Sequence, residues 1–198
     1  MAFLNSTARI VRKLVAAWRR VLAVACTCAT AGLVHAAAVP SAAPDQLKAV
    51  FLFNFTQFVT WPPAAWASDE SPFVIGVLGE NPFGSALDEA VRGEKVGQHP
   101  LVVRHLRAIE EGGACHVLFI SRSESARLET ILARLAGHSV LTVGDFPAFC
   151  ARGGAIEMST DSNRVRLTVN LAAAQAASLT LSSKLLRVAE VLPRGDAP

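Results

Sequence analysis

In the pattern of apolar and polar positions along the chain, residues 47–62, LKAVFLFNFTQFVTWP, form a strongly apolar segment. Its apolar residues recur at helical spacing, which predicts a helix buried in the core. We expect it to end before Trp61-Pro62-Pro63, because proline cannot continue the hydrogen-bond ladder. The predicted structural core of this segment is Leu47, Phe51, Phe55, Phe58 and Trp61. A ligand site around Asn54 is the alternative, since a buried amide needs partners.

Further along, apolar runs bounded by turn residues predict four strands, at residues 73–78, 101–103, 115–120 and 140–143. A short helix is predicted at residues 82–91, with Asn81 as its cap. A longer helix runs from Ser121 or Ser123 to Gly137, which is expected as its C′ glycine. Strands linked by helices favour a mostly parallel sheet.

The pattern changes in the last third of the chain. Residues 155–158 and 165–169 alternate strictly between apolar and polar side chains, with turn residues at 161–163 between them. This predicts an antiparallel hairpin at a sheet edge, followed by a small helix and a last helix through Ala189. The predicted fold is α/β. It is a single domain of residues 45–192, with a mostly parallel central sheet flanked by helices and a C-terminal antiparallel hairpin.

The two ends of the chain have a different character. Residues 1–38 combine five basic residues, an apolar run and Ala36-Ala37-Ala38, which predicts a secretory signal peptide. We expect a short lead-in at residues 39–44 and a loose tail at residues 193–198. Without the signal peptide, fourteen basic residues remain against sixteen acidic ones. No basic patch is left to favour nucleic acid, and export predicts a periplasmic protein.

Two loops at the carboxyl ends of predicted parallel strands could hold a ligand, as in other open α/β sheets. The first contains Gly79 and Asn81 where a phosphate loop would lie, although it lacks a Walker lysine; a tight turn is the alternative. The second begins with Asp145, which could bind a donor or cap the turn before Pro147. A periplasmic solute-binding protein would need a closed polar pocket near Gly79, Asp145 and Asn170.

Catalytic and metal-binding motifs are not recognisable in the sequence. The histidines and cysteines lack metal-ligand spacing, and there is no nucleophile elbow. We therefore expect no enzyme activity, metal or cofactor, and keep an enzyme with an unfamiliar site as an alternative. Cys115 and Cys150 should lie at opposite ends of parallel strands, too far apart for a disulfide, so we expect both thiols to be free.

The hairpin is the predicted contact surface for a protein partner, because an edge hairpin offers unpaired backbone groups. The outward residues expected to bind the partner are Glu157, Arg164, Arg166 and Thr168. An ordinary solvated edge is the alternative. Asn170 follows the second strand and could cap the next helix or belong to the contact surface.

Several sequence blocks resemble the YfiR-like family of secreted bacterial regulators. They are LKAVFLFNFTQFVTWP, FVIGVLGENPFG, CHVLFISRSE, VLTVGDFPAFCARGG, VRLTVNLAAA and LSSKLLRVAEV, in that order. The resemblance implies a periplasmic protein that binds the periplasmic domain of a membrane diguanylate cyclase and represses the enzyme, thereby controlling cyclic-di-GMP. It also implies an outer-membrane lipoprotein as a second partner, and a homodimer stays open.

The resemblance further implies a pair of disulfides, of which Cys115 and Cys150 would each be one half. Their partners, in or near the first strand and shortly after Cys150, are absent from this sequence. We therefore do not expect redox control.

Overall fold

A computed structural model describes residues 44–161 and 164–193. The predicted signal peptide at residues 1–38, the lead-in before Pro44, the turn residues Ser162 and Asn163, and the tail after residue 193 lie outside this part of the chain. Among the residues that the structure describes, no helix is long and apolar enough to cross a membrane.

The strands confirm a central, mostly parallel sheet. In chain order they are β1 Val59–Thr60, β2 Phe73–Leu78, β3 Lys95–Val96, β4 His99–Leu106, β5 Val117–Ile120, β6 Leu141–Gly144, β7 Ile156–Asp161, β8 Arg164–Val169, β9 Thr180–Leu181 and β10 Glu190–Val191. Eight of them form one sheet in the order β10-β8-β7-β6-β5-β2-β4-β3, and β1 pairs with β9. The strands from β4 through β2, β5 and β6 to β7 are parallel, and β7 with β8 forms the predicted antiparallel hairpin.

Helices cover both faces of the sheet, so the fold is α/β as predicted. They are α1 Pro44–Phe58, α2 Ala86–Val91, α3 Leu128–Leu135, α4 Leu171–Ala176 and α5 Ser183–Leu186. One core contains α1 and α2 residues, and the other contains α3 residues. Strands β2, β5 and β6 are consequently buried along their whole length. Gly137 follows α3 with φ of +82°, which confirms it as the C′ glycine.

The buried face of α1 differs from the predicted one. Phe55 and Trp61 are buried as expected, but Leu47, Phe51 and Phe58 are only half-buried. The residues that α1 buries are Lys48, Ala49, Leu52, Phe55 and Thr56. Because α1 lies against one face of the sheet, only one stripe of it reaches the core, and Val50 stays 44% exposed. The helix ends at Phe58 because Val59 enters β1 and pairs with Leu181.

The prediction of a long final helix was wrong. Helix α5 stops at Leu186, and the chain then forms β10 beside β8. Glu190 lies opposite Thr168 and Val191 opposite Val169, so the end of the hairpin is covered by a further strand. The apolar spacing of Leu185 and Val188 suits a helix, but pairing with β8 determines the conformation of the last described residues.

Candidate functional site

The carboxyl end of β6 is occupied by an ion pair that sequence reasoning missed. Lys48 of α1 donates to the Asp145 carboxylate at 2.8 Å and to Asp45 at 3.1 Å. Burial lowers the pKa of Lys48, but Asp145 and then Asp45 outweigh this effect, so the pKa is raised. Asp145 therefore attaches α1 to the sheet, rather than capping the turn before Pro147. The local signal in the sequence was a lysine at a position where the helix faces the apolar core.

The loop that contains Gly79 and Asn81 forms a tight turn. Gly79 has φ of +88°, and a Cβ atom there would lie 2.4 Å from Ser123 Oγ. The same Ser123 Oγ accepts a hydrogen bond from the Glu80 backbone N–H at 3.0 Å. Asn81 does not cap α2: it accepts from Phe83 N–H and donates to the Gly84 carbonyl, both at 2.9 Å. This turn delays the helix, which begins only at Ala86.

Asn170 follows β8, which runs antiparallel to β7, and its side chain contacts the loop between β6 and β7 that begins with Asp145. Its side-chain oxygen accepts from Ala173 N–H at 3.0 Å, so Asn170 caps α4, and its amide nitrogen donates to the Cys150 carbonyl at 2.9 Å. Among the described residues, the side chain of Asn170 hydrogen-bonds neither Gly79 nor Asp145.

The four predicted partner-binding residues lie on one face of the hairpin. Glu157 is opposite Thr168, and Arg166 and Arg164 follow at alternate positions of β8. Arg164 and Arg166 are exposed, whereas Glu157 and Thr168 are half-buried. Glu157 accepts a hydrogen bond from Cys150 N–H at 3.2 Å, so it also holds the loop before β7.

Both cysteines are separate, buried thiols. Cys115 precedes β5, and Cys150 follows β6, which runs parallel to β5. Burial raises the pKa of Cys115 to about 11, despite the lowering effect of Arg104. Burial, with a further contribution from Glu157, raises the pKa of Cys150 to about 12. Thiols this weakly acidic are poor nucleophiles at neutral pH, and whether the purified protein forms a disulfide stays a prediction.

A cavity at the amino ends of the parallel strands is formed by residues from four separate segments. We call it the amino-end cavity; its volume is about 420 Å³. Its polar lining includes Ser71, Arg104, His116, His138 and Ser139. No motif in the sequence connects these positions, which is why sequence reasoning did not find this site.

His116 belongs to an aromatic cluster beside this cavity. Its ring stacks on Phe73 at 4.7 Å and lies 4.7 Å from Trp66, which itself stacks on His99 at 3.8 Å. His116 Nδ1 accepts from Val74 N–H at 3.1 Å, so the hydrogen of a neutral ring is on Nε2.

The environment of His116 disfavours the charged form of its ring. Burial lowers the pKa of His116, and the Ala65 backbone acts in the opposite direction. Among the described residues, no group reaches Nε2 with ordinary hydrogen-bond geometry. The described part of the chain also contains no cluster of three or more histidine, cysteine or carboxylate side chains suited to a metal ion.

Comparison with protein families gives a match over most of the chain. A family described as YfiR/HmsC-like matches residues 45–190. No curated protein matches the chain.

Two solved structures are similar at low identity. One is a conserved domain protein from Vibrio cholerae O1 biovar El Tor, with 13% identity and a TM-score of 0.47, covering 60% of this chain and 54% of that one. The other is an ABC domain in complex with L-Trp from Streptococcus pneumonia, with 12% identity and a TM-score of 0.48, covering 75% of this chain and 60% of that one. The chain thus spans less than two thirds of either protein. At these scores neither likeness bears on function.

Proposed function

Because the chain belongs to the YfiR/HmsC-like family, we propose that it binds the periplasmic sensor region of a membrane-bound diguanylate cyclase and represses that enzyme. Membership in this periplasmic family supports a regulator of cyclic-di-GMP signalling in general. The family is regulatory rather than catalytic, which supports action through binding.

The exposed polar face of the hairpin is the proposed contact surface. The observation that supports this choice is the exposure of its two arginines, Arg164 and Arg166. Arg166 is 70% exposed at its side chain and pairs with Asp161 at 3.0 Å. An ion pair exposed to water contributes only about 0–1 kcal/mol to folding. Arg166 can therefore exchange this partner for an acidic group on another protein at little expense to stability.

The backbone of the hairpin supports the same surface. Strand β10 covers only Thr168 and Val169 of β8, so residues 164–167 have no strand on that side within the described part of the chain. An uncovered edge can accept an extra strand from a partner. Val188 and Val191, 71% and 41% exposed, lie just before and within β10 and offer apolar contact area beside the edge.

The test is the charge reversal Arg166→Glu, with Arg92→Glu as the matched control at the end of α2. Both arginines are exposed, so both variants should melt like the unmodified protein. Calorimetric titration with a purified cyclase sensor domain should show about tenfold weaker binding for Arg166→Glu alone, because like charges would then meet across the interface.

Equal binding by both variants would exclude the hairpin as the interface. Failure of the unmodified protein to bind any cyclase sensor domain would overturn the proposed repression itself. An outer-membrane lipoprotein and a second copy of the chain are further proposed partners, and the same two variants test them by pull-down and by sedimentation.

A periplasmic solute-binding function is the second candidate. The carboxyl-end loops do not favour it, because the groups there bind one another. The observation that favours it is the amino-end cavity, where the side chains of Arg104 and His138 have no hydrogen-bond or ion-pair partner among the described residues.

A further inference from the structure

The lining of the amino-end cavity is rich in hydrogen-bond donors and contains no aspartate or glutamate among the described residues. Its volume of about 420 Å³ suits a small molecule. Apolar side chains provide the rest of the wall; they include Ala64, Ala65, Pro72 and Val74. A cavity with this lining can hold a molecule that is apolar at one end and anionic at the other.

Arg104 supplies the positive charge. It lies on β4 opposite Gly76, and within the described residues it has neither an ion-pair nor a hydrogen-bond partner. Its charge acts on the thiol of Cys115, which also lines the cavity, so the positive field extends to that wall. A guanidinium presents paired N–H groups in the geometry that a carboxylate accepts.

The His138 ring lies at the same cavity, in space that is available because Gly113 has no side chain. A Cβ atom at Gly113 would lie 2.7 Å from the His138 ring, so the imidazole rests directly on the glycine backbone. His138 also lines a second, smaller cavity of about 250 Å³, and its ring therefore stands where the two cavities meet. The imidazole of His138 makes no hydrogen bond to any other described residue.

We propose that the amino-end cavity binds a small organic carboxylate, with its carboxylate against Arg104 and His138 and its apolar part against Ala65 and Pro72. An organic anion fits better than an inorganic one, because much of the wall is apolar. This site does not depend on the proposed repression: the cavity can bind its ligand whether or not the hairpin contacts a cyclase.

The experiment compares benzoate with benzamide, which has nearly the same shape but no charge, by calorimetric titration of the protein. Benzoate should bind, and benzamide should bind at least about tenfold more weakly, since a hydrogen bond to a charged group contributes about 1.5–3 kcal/mol. Arg104→Gln should weaken benzoate binding by about tenfold for the same reason. Arg92→Gln, which removes an exposed arginine away from the cavity, should leave it unchanged.

Two measurements distinguish a structural role of Arg104 from a role in ligand binding. Arg104→Gln should melt like the unmodified protein, and Arg104→Lys, which keeps the charge without the fork, should bind benzoate with intermediate affinity. Amide NMR signals of Cys115 and His138 should shift with benzoate. Equal binding of benzoate and benzamide, unchanged binding by Arg104→Gln, or tighter binding of inorganic phosphate than of benzoate would each overturn the proposal.

Discussion

The two ends of the parallel strands satisfy their polar groups in opposite ways. At the carboxyl ends, Asp145 binds Lys48 and Ser123 binds the backbone after Gly79, so the groups there are used within the protein. At the amino ends, Arg104 and His138 face a cavity without such partners among the described residues. Ligands of open α/β sheets usually bind at the carboxyl ends of the strands. This comparison indicates that such a site also requires loops that leave polar groups available.

The sequence contains the cause of this difference in two places. Helix α1 precedes the parallel strands and brings Lys48 to the carboxyl end of β6. At the other end, Gly113 and Gly137 precede β5 and β6 and carry no side chains that could fill the space. One end is therefore closed by an added helix, and the other is left open by glycines.

The largest expected effect concerns the attachment of α1, on which the closed carboxyl end depends. Phe55→Ala should lower the free energy of unfolding by about 4 kcal/mol, because it empties a fully buried aromatic site. Val50→Ala, at an exposed position of the same helix, should change it by less than about 0.5 kcal/mol. Urea unfolding measures both. A Phe55→Ala variant as stable as the control would mean that α1 is peripheral.

The next largest effect tests the ion pair itself. Lys48→Met should destabilise the protein by about 3 kcal/mol, because it leaves the Asp145 carboxylate without its partner in a mostly buried site. Adding Asp145→Leu should recover most of the loss. If the single variant is already as stable as the unmodified protein, the carboxyl end is not held by this pair.

The same pair has a predictable pH dependence. Since the pKa of Lys48 is raised in the folded state, its stabilising contribution is complete below the ordinary lysine value of 10.5 and is lost as the pH rises through the raised pKa. The stability difference between the unmodified protein and Lys48→Met should therefore stay constant through neutral pH and shrink as the solution becomes strongly alkaline. Urea titrations from neutral to strongly alkaline pH would show it; a difference that stays constant throughout that range would contradict the prediction.

A smaller effect is expected at Gly76, beside the amino-end cavity. A Cβ atom there would lie 2.6 Å from Cys115 Sγ and 2.9 Å from Leu118 Cδ1, so Gly76→Ala should destabilise by about 2 kcal/mol through overpacking. Gly76→Cys places a second sulfur beside Cys115, and we expect a disulfide after oxidation. Non-reducing mass mapping would detect the linked peptides; a free Cys115 in the oxidised variant would contradict this expectation.

The smallest effect should be found at Arg104. Its substitution by glutamine should change the free energy of unfolding by less than about 0.5 kcal/mol, since the side chain is exposed and has no partner among the described residues. Thermal unfolding at neutral pH provides the measurement. A loss greater than about 1 kcal/mol would make the amino end structural like the carboxyl end, and the comparison between them would fail.

Much of the fold could be predicted because its signals are local. The uninterrupted apolar runs in β2 and β5 indicated strands covered on both faces, and the strict alternation in β8 indicated a half-exposed hairpin. Strand β10 could not be predicted, because two residues adopt that conformation only through pairing with β8. The stripe of α1 that faces the core was also missed, because phenylalanines at several angles around the helix gave no single direction.

The candidate site was less accessible to sequence reasoning. Lys48 and Asp145 are 97 positions apart, and no sequence motif around either residue indicates the other as its partner. The amino-end cavity depends on residues from four segments, and its key property is that Arg104 and His138 have no side-chain partners among the described residues. Such a property arises from the packing of the whole domain and leaves no spacing to recognise.

The aromatic cluster around His116 also gives this protein an optical property. The sequence has no tyrosine and three tryptophans, of which Trp18 lies in the predicted signal peptide. After export, the near-ultraviolet emission would arise from Trp61 and Trp66 alone. Trp61 donates to the His116 carbonyl at 3.1 Å, and Trp66 lies against the His116 ring. Intrinsic fluorescence would therefore report on one end of the sheet, so an emission change at constant circular dichroism would locate an event there without any attached dye.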